Sequence, residues 1–289
     1  MSGIAAAAAS RANSRAKKLP VLATVRRAYA AVFGNFGMAV RIAWLWSLLV
    51  VALQLLSTWV LPTWMTNPAD IMRLDRNTLI FVSFAGFLNG LLILPALASI
   101  AVNWHRALLL GERPGAWAFM RLDGRVWAYV GIAAIIATVR FVASVPQVML
   151  SLERGTGGEL AIYRALAAIV IVGLLVLLPR LSLGLPGTAI GAPSAGLGSG
   201  YASGRGNTWR LAWGGLLCML PVLAIGFATF TVWPGAEVMF GTGPLALAVR
   251  AGVTLTWPFT CILFAGFLSY AYAHLHGLSV PSTAQTATV

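Results

Sequence analysis

Long apolar runs separated by short polar segments make up most of this chain. Six of them reach bilayer-crossing length, at residues 38–60, 78–104, 126–150, 161–185, 209–233 and 244–272. A hydrocarbon core about 30 Å thick takes roughly 20 apolar residues per helix. Over such runs only a helix satisfies its own backbone in lipid, and a membrane barrel would show short alternating strands instead. The pattern therefore predicts an all-α fold, a polytopic membrane bundle of six transmembrane helices. Residues 1–20 read as a disordered basic arm, 21–276 as the membrane domain and 277–289 as a flexible tail. Within the domain, residues 21–36 before the first span predict an interfacial helix.

The polar segments carry an orientation signal. Arg11, Arg15, Lys17, Lys18, Arg26 and Arg27 precede the first span, and Arg106, Arg113, Arg121 and Arg125 follow the second. Arg180, Arg205 and Arg210 follow the fourth. In the intervening loops Arg73 and Arg76 sit beside Asp70 and Asp75, Arg154 lies between Glu153 and Glu159, and the last loop has only Glu237. By the positive-inside rule both termini are cytoplasmic, and tryptophans near the span ends fit the same belts. Each odd-numbered span is preceded by a segment holding Gly, a basic residue and Trp. This suggests three helical hairpins, each entered through an interfacial segment, although positive-inside and aromatic-belt effects alone generate much of that pattern. The connector "GLPGTAIGAPSAGLGSGYASGRGN" is rich in small residues and reads as a flexible loop or as a short re-entrant piece packed on the bundle.

Composition sharpens this picture. Charged residues are 9% of the chain and hydrophobic ones 59%, against about 25% charged in soluble domains. The formal net charge of +13 lies mostly beside apolar runs, so anionic membrane headgroups explain it better than nucleic acid. Cys218 and Cys261 stand inside apolar runs with no CxxC pair, as small buried side chains do. In the N-terminal arm positive charge follows the short apolar "IAAAAA", the reverse of a secretory signal. A cytoplasmic arm fits it better than a transit peptide.

Candidate chemistry is sparse. Arg140 is a single charge within a span, where insertion costs roughly 2.5–3.5 kcal/mol. No Asp or Glu lies in any span, so its expected companions are Asn89 at similar depth, Gln147 on its own helix, carbonyls freed by Pro146, and Gln54 further out. Such a group serves either as an acceptor for an anion or as a polar clasp between helices. Arg41, Arg180, Arg205 and Arg210 could form a phosphate-binding rim on the cytoplasmic side, or serve only as orientation signals. Pro95, Pro146, Pro221 and Pro258 fall within spans, as in transporter sites and in helices that merely kink. "GFLNG" at 86–90 allows close helix approach. "GSG" around Ser199, taken with His274, resembles an intramembrane serine protease only weakly, since Leu197 and not Gly stands two before the Ser. No HExxH, carboxylate cluster or GxxxxGK[ST] occurs, so no catalytic residue, metal or cofactor is expected.

"LPRLSLGLPGTAIG" followed by "YASGRGNTWRLAWGGL", with "NWHRALLLGERP" and "SYAYAHLHG", resembles a broad family of bacterial six-span inner-membrane proteins. These are described as YciC-like, or as relatives of the glycerophosphodiester phosphodiesterase membrane domain. The resemblance covers most of the chain after residue 20. It implies a bacterial inner-membrane location and supplies no active site. The expected partners are membrane lipids with anionic headgroups, with other membrane proteins as further candidates and no nucleic acid. The expected function is non-catalytic: scaffolding, assembling or stabilising envelope components. The alternative is a permease or lipid-handling protein with an anion-accepting site around Arg140. An Arg140 lining an open cavity favours the alternative, and one enclosed by helix carbonyls favours scaffolding.

Overall fold

A computed structural model describes residues 17–60, 76–113, 120–152, 158–193, 195–240 and 244–281. The expectations for the arm before Lys17, the 61–75 and 153–157 connectors and the tail after 281 lie outside these residues. The described chain is helical: α1 Val21–Gly34, α2 Phe36–Val60, α3 Arg76–Leu110, α4 Gly124–Leu152, α5 Gly158–Ser182, α6 Gly184–Ile190, α7 Leu197–Ser203, α8 Thr208–Phe240 and α9 Pro244–His276. Six segments are long and apolar enough to cross a bilayer: 36–56, 80–110, 124–145, 161–190, 208–225 and 251–276. The chain is a multi-pass membrane bundle.

Helix α1 has one covered stripe, Thr24, Val25, Ala28, Ala31 and Val32, at the three-to-four-residue spacing of a packed face. That stripe rests on α8 and α9. Pro20, whose missing N–H costs nothing at a helix start, accepts the Thr24 hydroxyl at 2.8 Å. The helix ends where Asn35 N and Nδ2 both donate to Ala31 O, at 3.1 and 3.0 Å.

The fourth apolar run bends before it ends. Helix α5 stops at Ser182, a tight turn bonds Leu183 N to Arg180 O at 3.2 Å, and α6 begins at Gly184. The small-residue connector thus holds two short helices. Residues Gly184 to Gly187 and Ala189 of α6 are buried against α3, α4, α5 and α9. Contact between α6 and α7 is made by backbone: a Cβ on Gly200 would lie 2.3 Å from Gly184 N, and one on Gly184 2.3 Å from Gly196 O.

The long helices form a closed ring in the order α2, α3, α4, α5, α8, α9, with α9 also packed on α3. Among the described residues extensive packing does not extend across the rest of the ring, between α4 and α8 or between α5 and α9. At the end carrying residues 17–20, here the strap end, α6 and α7 fill that interior as a floor. The core concentrates there, with Trp104, Phe267, Leu268 and Leu19 almost wholly covered. Away from the floor the helices are loosely clothed. Every residue from Ala161 to Leu166 of α5 is exposed, which is more than one and a half turns, so its inward side is uncovered as well. The described positions 223–225 and 227–228 of α8 are also exposed. Among the described residues the interior is thus uncovered beside α5 and α8 at that end, here the chamber, and closed at the strap end.

Prolines do not break these helices. Pro95 lies within α3, Pro179 within α5 and Pro258 within α9. Around Pro258 the threonine hydroxyls turn back on their own helix, Thr256 to Val253 O and Thr260 to Thr256 O, each at 2.6 Å, which satisfies them without water.

Candidate functional site

Four hydrogen bonds tie the strap to the bundle. Asn207 Oδ1 accepts from Leu19 N at 2.8 Å and Asn207 Nδ2 donates to Lys17 O at 3.0 Å. Arg210 donates to Leu19 O at 2.8 Å and His274 Nε2 to Lys18 O at 3.2 Å. Asn207 is 1% exposed and Leu19 is 0% exposed. The "RGNTWR" motif, met above as part of a resemblance, is here a clamp on the N-terminal segment.

Beneath the strap lies a polar network that the sequence reading missed. His105 is 0% exposed and joins three helices: Nδ1 is 2.7 Å from Ser269 Oγ and Nε2 3.3 Å from Tyr129 Oη. Ser269 Oγ donates its one proton to Ala265 O at 2.8 Å. It must then accept from His105 Nδ1–H, which leaves Nε2 to accept from the Tyr129 hydroxyl. The serine proton points away from the imidazole, so this pair is a structural link and not a nucleophile with its base. Nearby, Ser99 Oγ accepts from Trp46 Nε1 at 2.9 Å and Arg121 N at 3.2 Å. The signal was four polar-tipped residues in a row, Asn103 to Arg106, at the end of an apolar run. Buried polar groups need partners.

Arg106 latches the floor. It donates to Ala189 O of α6 at 3.1 Å and pairs with Glu112 through both Nε and Nη2. Arg121 lies 3.7 Å from the same carboxylate. The Arg106 hydrogen bond, with the charges of Arg106, Arg121 and Arg125, holds the Glu112 carboxyl below its ordinary value of 4.5 despite some desolvation. A carboxylate with a lowered folded pKa stabilises the fold above its unfolded pKa, and that contribution is lost as pH falls through the folded value. Acidification below pH 4.5 is therefore expected to lower the melting temperature of the detergent-solubilised protein. Glu112→Gln should melt lower at neutral pH and show a shallower acid dependence. An unchanged slope would remove Glu112 as the source.

Arg140 stands about 22 Å along α4 from Arg125, at 1.5 Å per residue. The outer face of that helix is marked by Trp127, Ile135, Val142 and Val145, at 55%, 51%, 61% and 41% exposure. Its packed face holds Val126 and Tyr129, with Ala133 and Ile136 against the core. At about 100° per residue, Arg140 falls within about 40° of Val126, Tyr129, Ala133 and Ile136 and about 140–160° from Ile135 and Val142. It projects inward and is nevertheless exposed. Among the described residues no hydrogen bond or ion pair engages it.

The expected companions do not gather around it. Phe87 of α3 stacks on Phe141 of α4 with centroids 4.4 Å apart, which sets the two helices at matching depth. Asn89 lies about 160° around α3 from Phe87, on the face of buried Ile93 and Ala96, and is partly covered. Gln54 is partly covered on α2, and the Gln147 side chain lies outside the described residues. Arg180 donates to Tyr201 O at 2.6 Å and stacks 3.8 Å over the Tyr201 ring, tying α5 to α7. With Arg210 bonded to the strap, these two arginines bind backbone, while Arg41 and Arg205 are exposed. Ser199 donates to Gly196 O at 2.9 Å, and His274 bonds the strap. Among the described residues no cluster of three His, Cys, Asp or Glu forms. A cleft of about 20 Å³ beside Asn35, Met38, Glu112 and Arg113 has room for about one water.

Against known proteins, the chain matches no family model, no curated protein and no solved structure.

Proposed function

We propose that this chain is a permease or lipid-handling protein of the membrane, with no chemistry of its own, that holds or passes an anionic ligand at an inner site around Arg140. The observation that carries this reading is the position of that guanidinium: inward, uncovered and without a hydrogen bond or ion pair among the described residues, with no acid in any span. Its roughly 2.5–3.5 kcal/mol insertion cost is comparable to the 1.5–3 kcal/mol, approximately, of a hydrogen bond to a charged group. An arriving anion offsets it. Scaffolding fits an arginine enclosed by carbonyls, and the surface it would use, such as Ile162, Ile169 and Val172, is equally suited to lipid. The setting we propose is the bacterial inner membrane with the strap end in the cytoplasm. The distribution of Lys and Arg supports this, as does the resemblance to YciC-like six-span proteins.

The test is thermal unfolding in a neutral maltoside detergent. Arg140→Leu is expected to melt as the unaltered protein does when no anion is added. Anions that occupy the site should raise the melting temperature of the unaltered protein alone, by mass action. If Arg140→Leu instead melts lower in the absence of anions, by the about 1–2 kcal/mol of an interhelical polar contact, the residue is a clasp and scaffolding takes its place.

A further inference from the structure

We infer that the ligand of this inner site is an anionic phospholipid, drawn into the chamber from the leaflet opposite the strap, with its phosphate on Arg140 and its chains along the apolar wall. This rests on the reading of Arg140 as an acceptor and adds the class of ligand and its direction of approach.

Three features of the fold argue for it. The first is the floor. Helix α6 is buried across α3, α4, α5 and α9, latched by Arg106 to Ala189 O and backed by the backbone contact at Gly184 and Gly200. A ligand reaching Arg140 from the strap end would have to displace it. From the other end nothing comparable intervenes among the described residues, and α5 is uncovered on every side over residues 161–166. The second is the lining. Between Arg140 and the floor the residues on this inward face of α4, namely Ala133, Ile136 and Ala137, are apolar, and one turn beyond Arg140 the Ser144 hydroxyl is spent on Phe141 O at 2.7 Å. A small hydrated anion would leave its water shell there for a single cation and hydrocarbon. A phospholipid brings chains that cover such a wall and is the most abundant molecule beside the opening. The third is charge. Arginine presents a planar fork that matches two phosphate oxygens, and its depth, about 22 Å along α4 from Arg125, puts it nearer the leaflet opposite the strap.

The experiment compares the full chain with Arg140→Gln and Arg140→Lys. Each protein is purified in maltoside, stripped of lipid by washing, and incubated with phosphatidylglycerol, with phosphatidylcholine or with inorganic phosphate. Native mass spectrometry then reads retained lipid, and thermal unfolding reads protection. The unaltered chain should retain one phosphatidylglycerol and gain protection from it, while phosphate alone has no effect. Arg140→Gln should weaken retention about tenfold or more, the size of a lost charged hydrogen bond. Arg140→Lys, which keeps charge and loses the fork, should fall between. Should Arg140→Gln fail to fold, the lysine variant carries the test alone, and retention equal to the unaltered chain overturns the inference. Equal retention by all three proteins, no preference over phosphatidylcholine, or no retention overturns it too. If inorganic phosphate protects the unaltered chain but not Arg140→Gln, and phosphatidylglycerol does neither, the acceptor reading stands and the lipid assignment falls. If no anion protects, both fall.

Discussion

Gly200→Ala is expected to lower stability by about 3 kcal/mol or more, the upper range for overpacking, and to loosen the strap-end floor. The added methyl would sit 2.3 Å from Gly184 N, 2.9 Å from Gly184 Cα and 3.1 Å from Leu181 O. Those are backbone atoms, and a backbone cannot swing aside as a long side chain does. Helix α7 would have to lift from α6, taking the Arg180 contact to Tyr201 with it. Gly198→Ala is the control on the same short helix, since nothing lies within 4 Å of its added Cβ. It should be neutral or slightly stabilising, because alanine favours helix over glycine by about 1 kcal/mol. Thermal unfolding in detergent checks the pair, together with limited proteolysis across residues 191–206. Equal melting of the two variants would mean that the close contact at Gly184 does not exist in the protein.

The second large effect belongs to His105. Replacing it by leucine removes the acceptor of the Tyr129 hydroxyl and the donor to Ser269 Oγ at one stroke. Tyr129 is 6% exposed, so its hydroxyl is left in apolar surroundings, a loss of about 1–3 kcal/mol for that group. With the histidine's own packing gone as well, the total should reach about 2–4 kcal/mol. Tyr129→Phe in the His105→Leu background should recover part of it, because the orphaned hydroxyl is then gone. The pair is in direct contact, so a double-mutant cycle should show coupling of about 0.5–3 kcal/mol. Strictly additive losses would show that the two side chains do not depend on each other.

Both effects sit at the strap end, and neither was visible along the chain. The connector's small residues suggested either a loop or a re-entrant piece. The choice went to two short helices because glycines at 184 and 200 let backbones meet, a fact about positions sixteen residues apart. The rim of four arginines divided for a similar reason: Arg180 and Arg210 found carbonyls of Tyr201 and Leu19, while Arg41 and Arg205 found none among the described residues. Arg140 was legible as a costly charge, but its companions were not, since depth alone placed Asn89 near it. The turn of α3 carries Asn89 to the other face.

The sequence by itself determined that this protein lives in a bilayer and crosses it as six helices. Apolar length is a local property, and lipid compels each long run to satisfy its own backbone whatever its neighbours do. Only the tertiary structure decided which side chains face one another. The strap meets Asn207 from 188 residues away, and His105 meets Ser269 across 164. In a chain whose helices are apolar almost all round, no single stripe announces an inner face. The facing partners, the closed floor and the exposed, inward position of Arg140 come from how the ring of helices closes.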